Sequence, residues 1–418
     1  WRTSSQLWWD EAIYVGMGKV LASGGVSGMW ETFRPPVLPI VISAFEYVRV
    51  PVEVYRFLLS FFSSVLFLCS VFFLSRMVSR GSEGWSLLFS LSFVSILSLF
   101  PLLLTDILST GLSVAALVLA LRNRPFLAGL VAGVSVLTRF PQAVILPVLV
   151  IVLWYDVPFE SWKRSEAVRS LKRTCWLALG SALLIVPYLV SQKVLFGGFF
   201  SFLRDGVIVY STIGPIASLS WYVDILWSRA WWLVVAGLVG TVIVLASPRK
   251  EKRGFFVLLS ALAMLSFLSI IPHKEERYVL MAVPFLAVLA GIACSTILEF
   301  LSGVWSRRVF SVVLGGFLVV VIVGGVGDVV GSQWPPSQVQ KEFYSYGSNQ
   351  SLEPFQVVLA SDPLVMVYIN HPVQFFGGFE FARSELLRWR SRLAFASWNS
   401  CSYDCPLDSN NAQCVRDR

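Results

Sequence analysis

Long apolar runs separated by short polar breaks dominate the chain. Ten of them predict helices: Val54–Leu74, Trp85–Leu104, Ile107–Leu121, Pro125–Leu137, Ala143–Tyr155, Cys175–Val190, Ala230–Ala246, Gly254–Ile271, Tyr278–Ile297 and Val309–Val329. Runs of about 15 to 22 such residues suffice to cross a hydrocarbon core about 30 Å thick. Ahead of them, Trp9, Ile13, Met17 and Leu21 recur every fourth residue and end at a Gly-rich break, Ser23-Gly24-Gly25. That single apolar stripe predicts a helix lying flat on a membrane interface, with its tryptophans at headgroup depth. Behind them, Gln356–Ala360, Val373–Phe376 and Leu393–Ser397 read as short strands, alternating with helices from Asp362 to Tyr368 and over Glu380–Arg390. Such alternation predicts a small α/β unit with parallel strands.

The expected architecture is an all-α polytopic membrane protein of about ten or eleven transmembrane helices with a small C-terminal extracytoplasmic α/β domain. Its expected divisions are a first outer loop over residues 1–53, a membrane core over 54–330 and the tail domain over 331–418. Composition agrees: mean hydropathy is +0.72 and only 14% of the 418 residues are charged, against about 25% in soluble domains.

Charge then sets orientation. Basic residues collect in alternate connections: Arg76 and Arg80; Arg122 and Arg124; Lys163, Arg164, Arg169, Lys172 and Arg173; Arg249, Lys250, Lys252 and Arg253; Arg307 and Arg308. The positive-inside rule puts these in the cytoplasm. Trp1–Glu53, Pro101–Asp106, Thr138–Gln142, Ser191–Arg229, Pro272–Arg277 and the tail from Gly331 then face outward. The net charge of +8 is therefore mostly a topology signal, with no clustered basic face for nucleic acid. A first residue Trp1 inside an outward segment predicts a preceding helix or a removed signal sequence. Cys69, Cys175 and Cys294 read as packing thiols, whereas one pair among Cys401, Cys405 and Cys414 is open to bridging outside the cytoplasm. With His273 and His371 as the only histidines, no zinc spacing is present.

The outward segments hold the candidate chemistry. Asp10 and Glu11 stand together in Trp8-Trp9-Asp10-Glu11. They suit a general base or a cation site, and equally the first turn of a helix. Arg34 precedes Pro35, Pro36 and Pro39, which hold it at the start of a rigid stretch where a guanidinium can fork onto a phosphate or meet lipid headgroups. Asp106 and Arg139 sit at helix ends near membrane depth, where ionisable groups are costly. Both also fit ordinary helix-end roles. His273-Lys274-Glu275-Glu276-Arg277 packs charge into one tight outward turn that topology does not require, and suits an anionic lipid headgroup. Ser191–Arg229 is long and aromatic, either a lid or an interfacial helix-loop. Asn349-Gln350-Ser351 is a glycosylation sequon.

Taken in order, these motifs resemble the glycosyltransferase C (GT-C) superfamily. Asp10-Glu11-Ala12-Ile13-Tyr14 followed by Arg34-Pro35-Pro36 resembles the first outer loop of its protein O-mannosyltransferase and aminoarabinose transferase branch. Thr105-Asp106 and Thr138-Arg139-Phe140-Pro141 are similar to that branch's second acidic loop and basic hairpin. His273-Lys274-Glu275-Glu276-Arg277-Tyr278 looks like the His-Lys-Glu-x-Arg-Phe signature of dolichol-pathway mannosyltransferases, with Tyr for Phe.

The resemblance implies an inverting glycosyltransferase that moves a sugar, a hexose such as mannose, from a polyprenyl or dolichyl phosphate to an acceptor hydroxyl on the outer membrane face. It implies Asp10 as general base with Glu11 in support, and Arg34, Arg139, His273, Lys274 and Arg277 on the donor phosphate. Asp106 and Glu275 would position sugar hydroxyls or a metal, with a divalent cation such as Mg or Mn possible. Implied partners are the lipid-linked sugar, membrane lipid, and an acceptor protein, lipid or glycan, in a plasma membrane or endoplasmic reticulum. A transporter or lipid flippase is the competing class. Transport calls for ionisable groups or broken helices at mid-membrane and often an internal repeat, whereas here charge gathers at one face.

Overall fold

The computed structural model describes residues 7–155, 164–212, 218–246, 252–271, 273–301 and 303–331, with short pieces at 358–360, 365–368, 373–375 and 394–395. The chain is mostly helical, and it divides into two compact units. One comprises Thr32–Pro35 and Leu59–Gln333; the other comprises Trp1–Glu31, Pro36–Leu58 and Trp334–Arg418.

All ten apolar runs become mainly helical, and two are interrupted: Trp85–Leu104, and Tyr278–Ile297, which passes from a 3-10 helix (Glu276–Met281) to an α-helix (Val283–Phe300) at Ala282. The run predicted as one segment, Trp85–Leu104, is instead α4 (Glu83–Ser92) and α5 (Val94–Leu99), parted at Phe93, whose ψ of 94° is extended. The break is held by side chains: Trp232 Nε1 donates to Ser92 Oγ at 2.9 Å, and that hydroxyl donates to the Phe89 carbonyl at 2.9 Å. The helix Trp221–Ala246 bends at Ala230, a fully buried residue with φ −156° and ψ 48°.

Most of Ser191–Arg229, read as an outer loop, is also helical. Arg164–Phe196 and Ser201–Thr212 cover its first half, and the Trp221–Ala246 helix begins in its second. Numbered through the chain, α1 is Trp9–Ser23, α2 Val37–Tyr47, α3 Val52–Val78, α6 Thr105–Leu121, α7 Pro125–Thr138 and α8 Ile145–Trp154. Then α9 is Arg164–Phe196, α10 Ser201–Thr212, α11 Trp221–Ala246, α12 Lys252–Ile270, α13 Val283–Phe300 and α14 Val304–Gly331.

Six of these helices, all or most of α3, α9, α11, α12, α13 and α14, are long and apolar enough to cross a membrane. The protein is an integral membrane protein. The other four of the ten runs are the split pair α4 and α5, of 10 and 6 residues, and α6, α7 and α8, of 17, 14 and 10, all shorter than the about 20 residues a straight span requires.

Small residues let the bundle close. A Cβ on Gly129 of α7 would lie 2.0 Å from the Leu177 carbonyl oxygen of α9, and one on Gly180 would lie 2.3 Å from that of Phe126. Gly240 of α11 meets the Leu289 carbonyl of α13 in the same way. Backbones this close gain dispersion contacts that lipid tails cannot replace. Helix α13 is the centre of the core, buried from Val283 to Ser295 except at the half-buried Leu286.

The smaller unit pairs α1 with α2. Nine successive α1 residues, Glu11–Lys19, are buried, so the helix packs on more than the one stripe expected of an interfacial anchor. Gly18 admits Ile42 of α2, and Gly16 admits Met366 of α15 (Val365–Tyr368). Lys19 Nζ donates to the Val367 carbonyl at 2.7 Å. Strands β1 (Val358–Ala360), β2 (Val373–Phe375) and β3 (Ala394–Phe395) pair in parallel in the order β2-β1-β3, and Val373 N donates to the Gly28 carbonyl at 3.0 Å. They fall within the three segments read as strands; the helix read over Glu380–Arg390, the sequon and Cys401, Cys405 and Cys414 lie outside the described residues.

Candidate active site

Four elements of the larger unit bring its charged motifs together. Asp106 occupies the first turn of α6, where a carboxylate meets the positive helix end. Arg139 ends α7 in an extended conformation (φ −157°), and Pro141 starts a 3-10 turn, Phe140–Val144, that reverses the chain. The reversal aims Arg139 back at α6. Its Nη1 lies 2.6 Å from Asp106 Oδ1, with side-chain exposures of 12% and 3%. Asp106 Oδ2 is buried and has no hydrogen-bond partner among the described residues.

Beneath the pair lies a buried polar network. Ser113 Oγ donates to Gln142 Oε1 at 2.8 Å and lies 2.8 Å from Ser135 Oγ. Gln142 Nε2 donates to Ser109 Oγ at 3.2 Å and to Thr110 Oγ1 at 3.3 Å. Gln142 is fully buried and its amide ties α6 to the turn after Arg139, while Ser135 joins α7 to the same network through Ser113. That fixes the hairpin's register against α6.

The turn between α12 and α13 supplies the other side. Tyr278, in the 3-10 helix Glu276–Met281, presents its ring 4.5 Å from the Arg139 guanidinium carbon, a cation–π distance. The Tyr278 hydroxyl donates to Glu275 Oε1 at 2.9 Å, His273 Nε2 lies 2.9 Å from the same oxygen, and Arg277 Nε donates to Oε2. Burial alone would push the Glu275 carboxyl up. The hydrogen bond and charge of Arg277, with those from His273 and Tyr278, hold it below the usual glutamate value instead. Lys274 turns the other way: Nζ donates to the Ser269 and Ile271 carbonyls at 2.7 and 2.9 Å, capping α12, and lies 5.4 Å from the Tyr222 ring. Desolvation lowers its pKa. Glu276 accepts from Ser95 Oγ of α5 and lies 3.7 Å from Arg229 Nε of α11. The break at Phe93 starts the helix that carries Ser95.

Arg34 is half-buried beside Phe33, its guanidinium 5.6 Å from that ring. Nearby in sequence, Thr32 Oγ1 donates to Asp205 Oδ2 of α10, and this bond, aided by Arg204, lowers the Asp205 pKa. In the smaller unit, Asp10 is half-buried on the first turn of α1. Glu11 is fully buried, and Arg56 forks onto it: Nε donates to Oε1 at 2.8 Å and Nη2 to Oε2 at 2.9 Å. The Trp8 amide donates to Oε2 at 2.7 Å. Glu11 is thereby occupied in holding the start of α1.

Among the described residues no three of His, Cys, Asp and Glu converge. Asp106 already shares its Oδ1 with a guanidinium, whose charge repels a metal ion.

No protein-family model and no curated protein matches the chain. Solved structures do. ArnT from Cupriavidus metallidurans bound to undecaprenyl phosphate matches with a TM-score of 0.63 at 16% identity, over 93% of this chain and 85% of that one. The Archaeoglobus fulgidus oligosaccharyltransferase tethered with an acceptor peptide containing the NVT sequon matches at 0.58 and 12% identity, over 89% of this chain and 61% of that one. The same organism's oligosaccharyltransferase AglB, in complex with an inhibitory peptide and a dolichol-phosphate, matches at 0.56 and 13%, over 87% and 60%. The chain has the GT-C fold.

Within this GT-C fold, Asp106, Arg139, His273, Glu275 and Arg277 join one connected cluster through Tyr278, and Lys274 holds its turn to α12. Sequence reading gave no role of its own to Gln142 or Glu276 and did not see the stacking of Tyr278 on Arg139. Gln142 left one signal, a polar residue at the edge of an apolar run just past the Arg-Phe-Pro turn.

Proposed function

We propose that the protein is a glycosyltransferase that moves a sugar from a polyprenyl-phosphate donor to an acceptor hydroxyl, with inversion, on the extracytoplasmic face. The observation that carries this reading is the buried Asp106–Arg139 pair stacked on Tyr278, beside a cationic turn, in a GT-C fold. Desolvating the two charges costs several kcal/mol per ion in its own right. Ionisable groups kept at such depth mark a working site by default.

The leaving group of such a transfer is a lipid phosphate whose negative charge grows as the bond to the sugar breaks. Arg139, Arg277 and His273 are assigned to stabilise it, with donors held in advance by Glu275 and Tyr278. Lys274 adds positive field while its ammonium caps α12. Asp106 Oδ2, an open acceptor, is assigned to a donor-sugar hydroxyl. Asp10 is assigned as the base on its motif alone, with Glu11 positioning α1 and Arg34 kept as a further phosphate candidate. That ArnT was solved with undecaprenyl phosphate, and AglB with a dolichol-phosphate, supports a lipid-phosphate donor. Mannose rests on the likeness of His273–Tyr278 to the mannosyltransferase signature.

The test incubates membranes holding the protein with labelled dolichyl-phosphate mannose or glucose and follows the label by mass analysis. Label on an acceptor, lost in Arg139→Gln, is the expected result. Movement of the lipid-linked sugar across the bilayer without transfer would overturn the reading in favour of a transporter.

A further inference from the structure

At the ends of the helices away from the Asp106–Arg139 cluster, a second concentration of charge has no part in the proposed chemistry. A cavity of about 400 Å³ is lined by Arg76, Arg80, Arg122 and Arg253, with Phe73 and Met77 as its apolar wall. The four arginines come from three connections distant in sequence: the last turn of α3 and the turn after it, the C-cap of α6, and the first turn of α12. Arg253 Nη1 donates to the Met77 carbonyl at 2.9 Å, and the Arg122 guanidinium carbon lies 5.6 Å from the Phe73 ring. Among the described residues no carboxylate lines the cavity, and none of the four guanidinium groups forms an ion pair.

The positive-inside rule places arginines in these connections but does not require four of them to converge on one cavity, and helix ends do not balance their charge. The C-termini of α3 and α6 each offer about half a negative charge, against four full positive ones. A surplus of this size, pressed beside Phe73 and Met77, calls for a ligand that is anionic at one end and apolar at the other. Guanidinium forks match phosphate oxygens, and basic pockets between membrane helices are suited to anionic headgroups.

The geometry points to a binding site for the headgroup of an anionic phospholipid in the leaflet that meets the basic loops. Its phosphate sits among Arg76, Arg80 and Arg122, and its acyl chains lie along Phe73 and Met77. The site is independent of the sugar-transfer reading, and its test uses no activity.

The purified full-length protein in detergent is given equimolar phosphatidylglycerol and phosphatidylcholine of equal chain length and observed by native mass spectrometry. Wild type is expected to retain one phosphatidylglycerol in preference to phosphatidylcholine. The triple variant Arg76→Gln, Arg80→Gln, Arg122→Gln should lose at least tenfold of that preference, with its unfolding temperature checked alongside. Arg253 is left in place because it ties α12 to α3. The control Arg307→Gln, Arg308→Gln removes charge at the start of α14 without touching the cavity and should behave as wild type. Equal loss in that control would show diffuse surface charge and overturn the site. So would retention unchanged in the triple variant, or displacement of the lipid by an equal concentration of inorganic phosphate.

Discussion

Arg139 and Asp106 form a buried ion pair, 2.6 Å between Nη1 and Oδ1, in which each charge offsets the desolvation of the other. Removing one partner strands a charge, which costs about 3–5 kcal/mol. Asp106→Leu should therefore lower stability by that order in thermal unfolding, and adding Arg139→Met should restore most of it. A single variant costing less than about 1 kcal/mol, the worth of an exposed pair, would contradict the burial.

Tyr278 does two things that substitution separates. Tyr278→Phe keeps the ring against Arg139 and loses the hydroxyl donated to Glu275, at a cost of about 1 kcal/mol. Tyr278→Leu also removes the cation–π contact, worth about 2 kcal/mol when desolvated. Binding of a polyprenyl-phosphate donor is expected to weaken more in Leu than in Phe; equal affinities would exclude a role for the ring.

Gln142 acts at a distance from substrate. Gln142→Leu takes from Ser113 one of its two partners and from Ser109 and Thr110 the amide donor, and unsatisfied buried groups cost about 1–3 kcal/mol each. If the network positions Arg139, kcat should fall at least tenfold with KM nearly unchanged, and Gln142→Glu should not restore it. A purely structural role would lower stability and leave kcat per folded molecule intact.

Glu275 makes the turn acid-sensitive. Its carboxyl titrates below the ordinary glutamate value in the folded protein, so in that interval the unfolded chain binds more protons and stability rises with pH. The contribution is fully present above about pH 4.3, the unfolded value, and fades as pH falls through the lower folded value. Glu275→Gln should flatten this part of an acid-unfolding curve; an unchanged slope would refute it.

Asp10 and Glu11, adjacent in sequence, should respond differently. Asp10→Asn is expected to abolish transfer with folding intact. Glu11→Gln, which breaks the fork with Arg56, should chiefly lower stability. Full activity in Asp10→Asn would remove it as the base.

The helical membrane architecture was legible because an apolar run announces itself locally. The broken segment was not. Nothing in the residues around Phe93 marks a break, since the bond beside it, from Trp232 Nε1 to Ser92 Oγ, comes from a helix far along the chain. The parallel strands were legible from short apolar runs alternating with helical patterns in the sequence, yet their order β2-β1-β3 depends on pairing that no local pattern encodes.

By itself, the sequence determined the membrane class, the alternating basic connections and the short list of ionisable residues outside the apolar runs. These follow from composition and spacing, which act through hydrophobic transfer and need no partner. Only the tertiary structure decided which charge meets which: Arg139 with Asp106 and Tyr278, three donors on Glu275, Lys274 on the end of α12, Glu11 held by Arg56. A buried charge is stable only where packing delivers an opposite charge or a hydrogen bond. That delivery depends on how helices remote in sequence pack together, so the same acids read as candidate catalysts in the chain and as pairs with fixed partners in the fold.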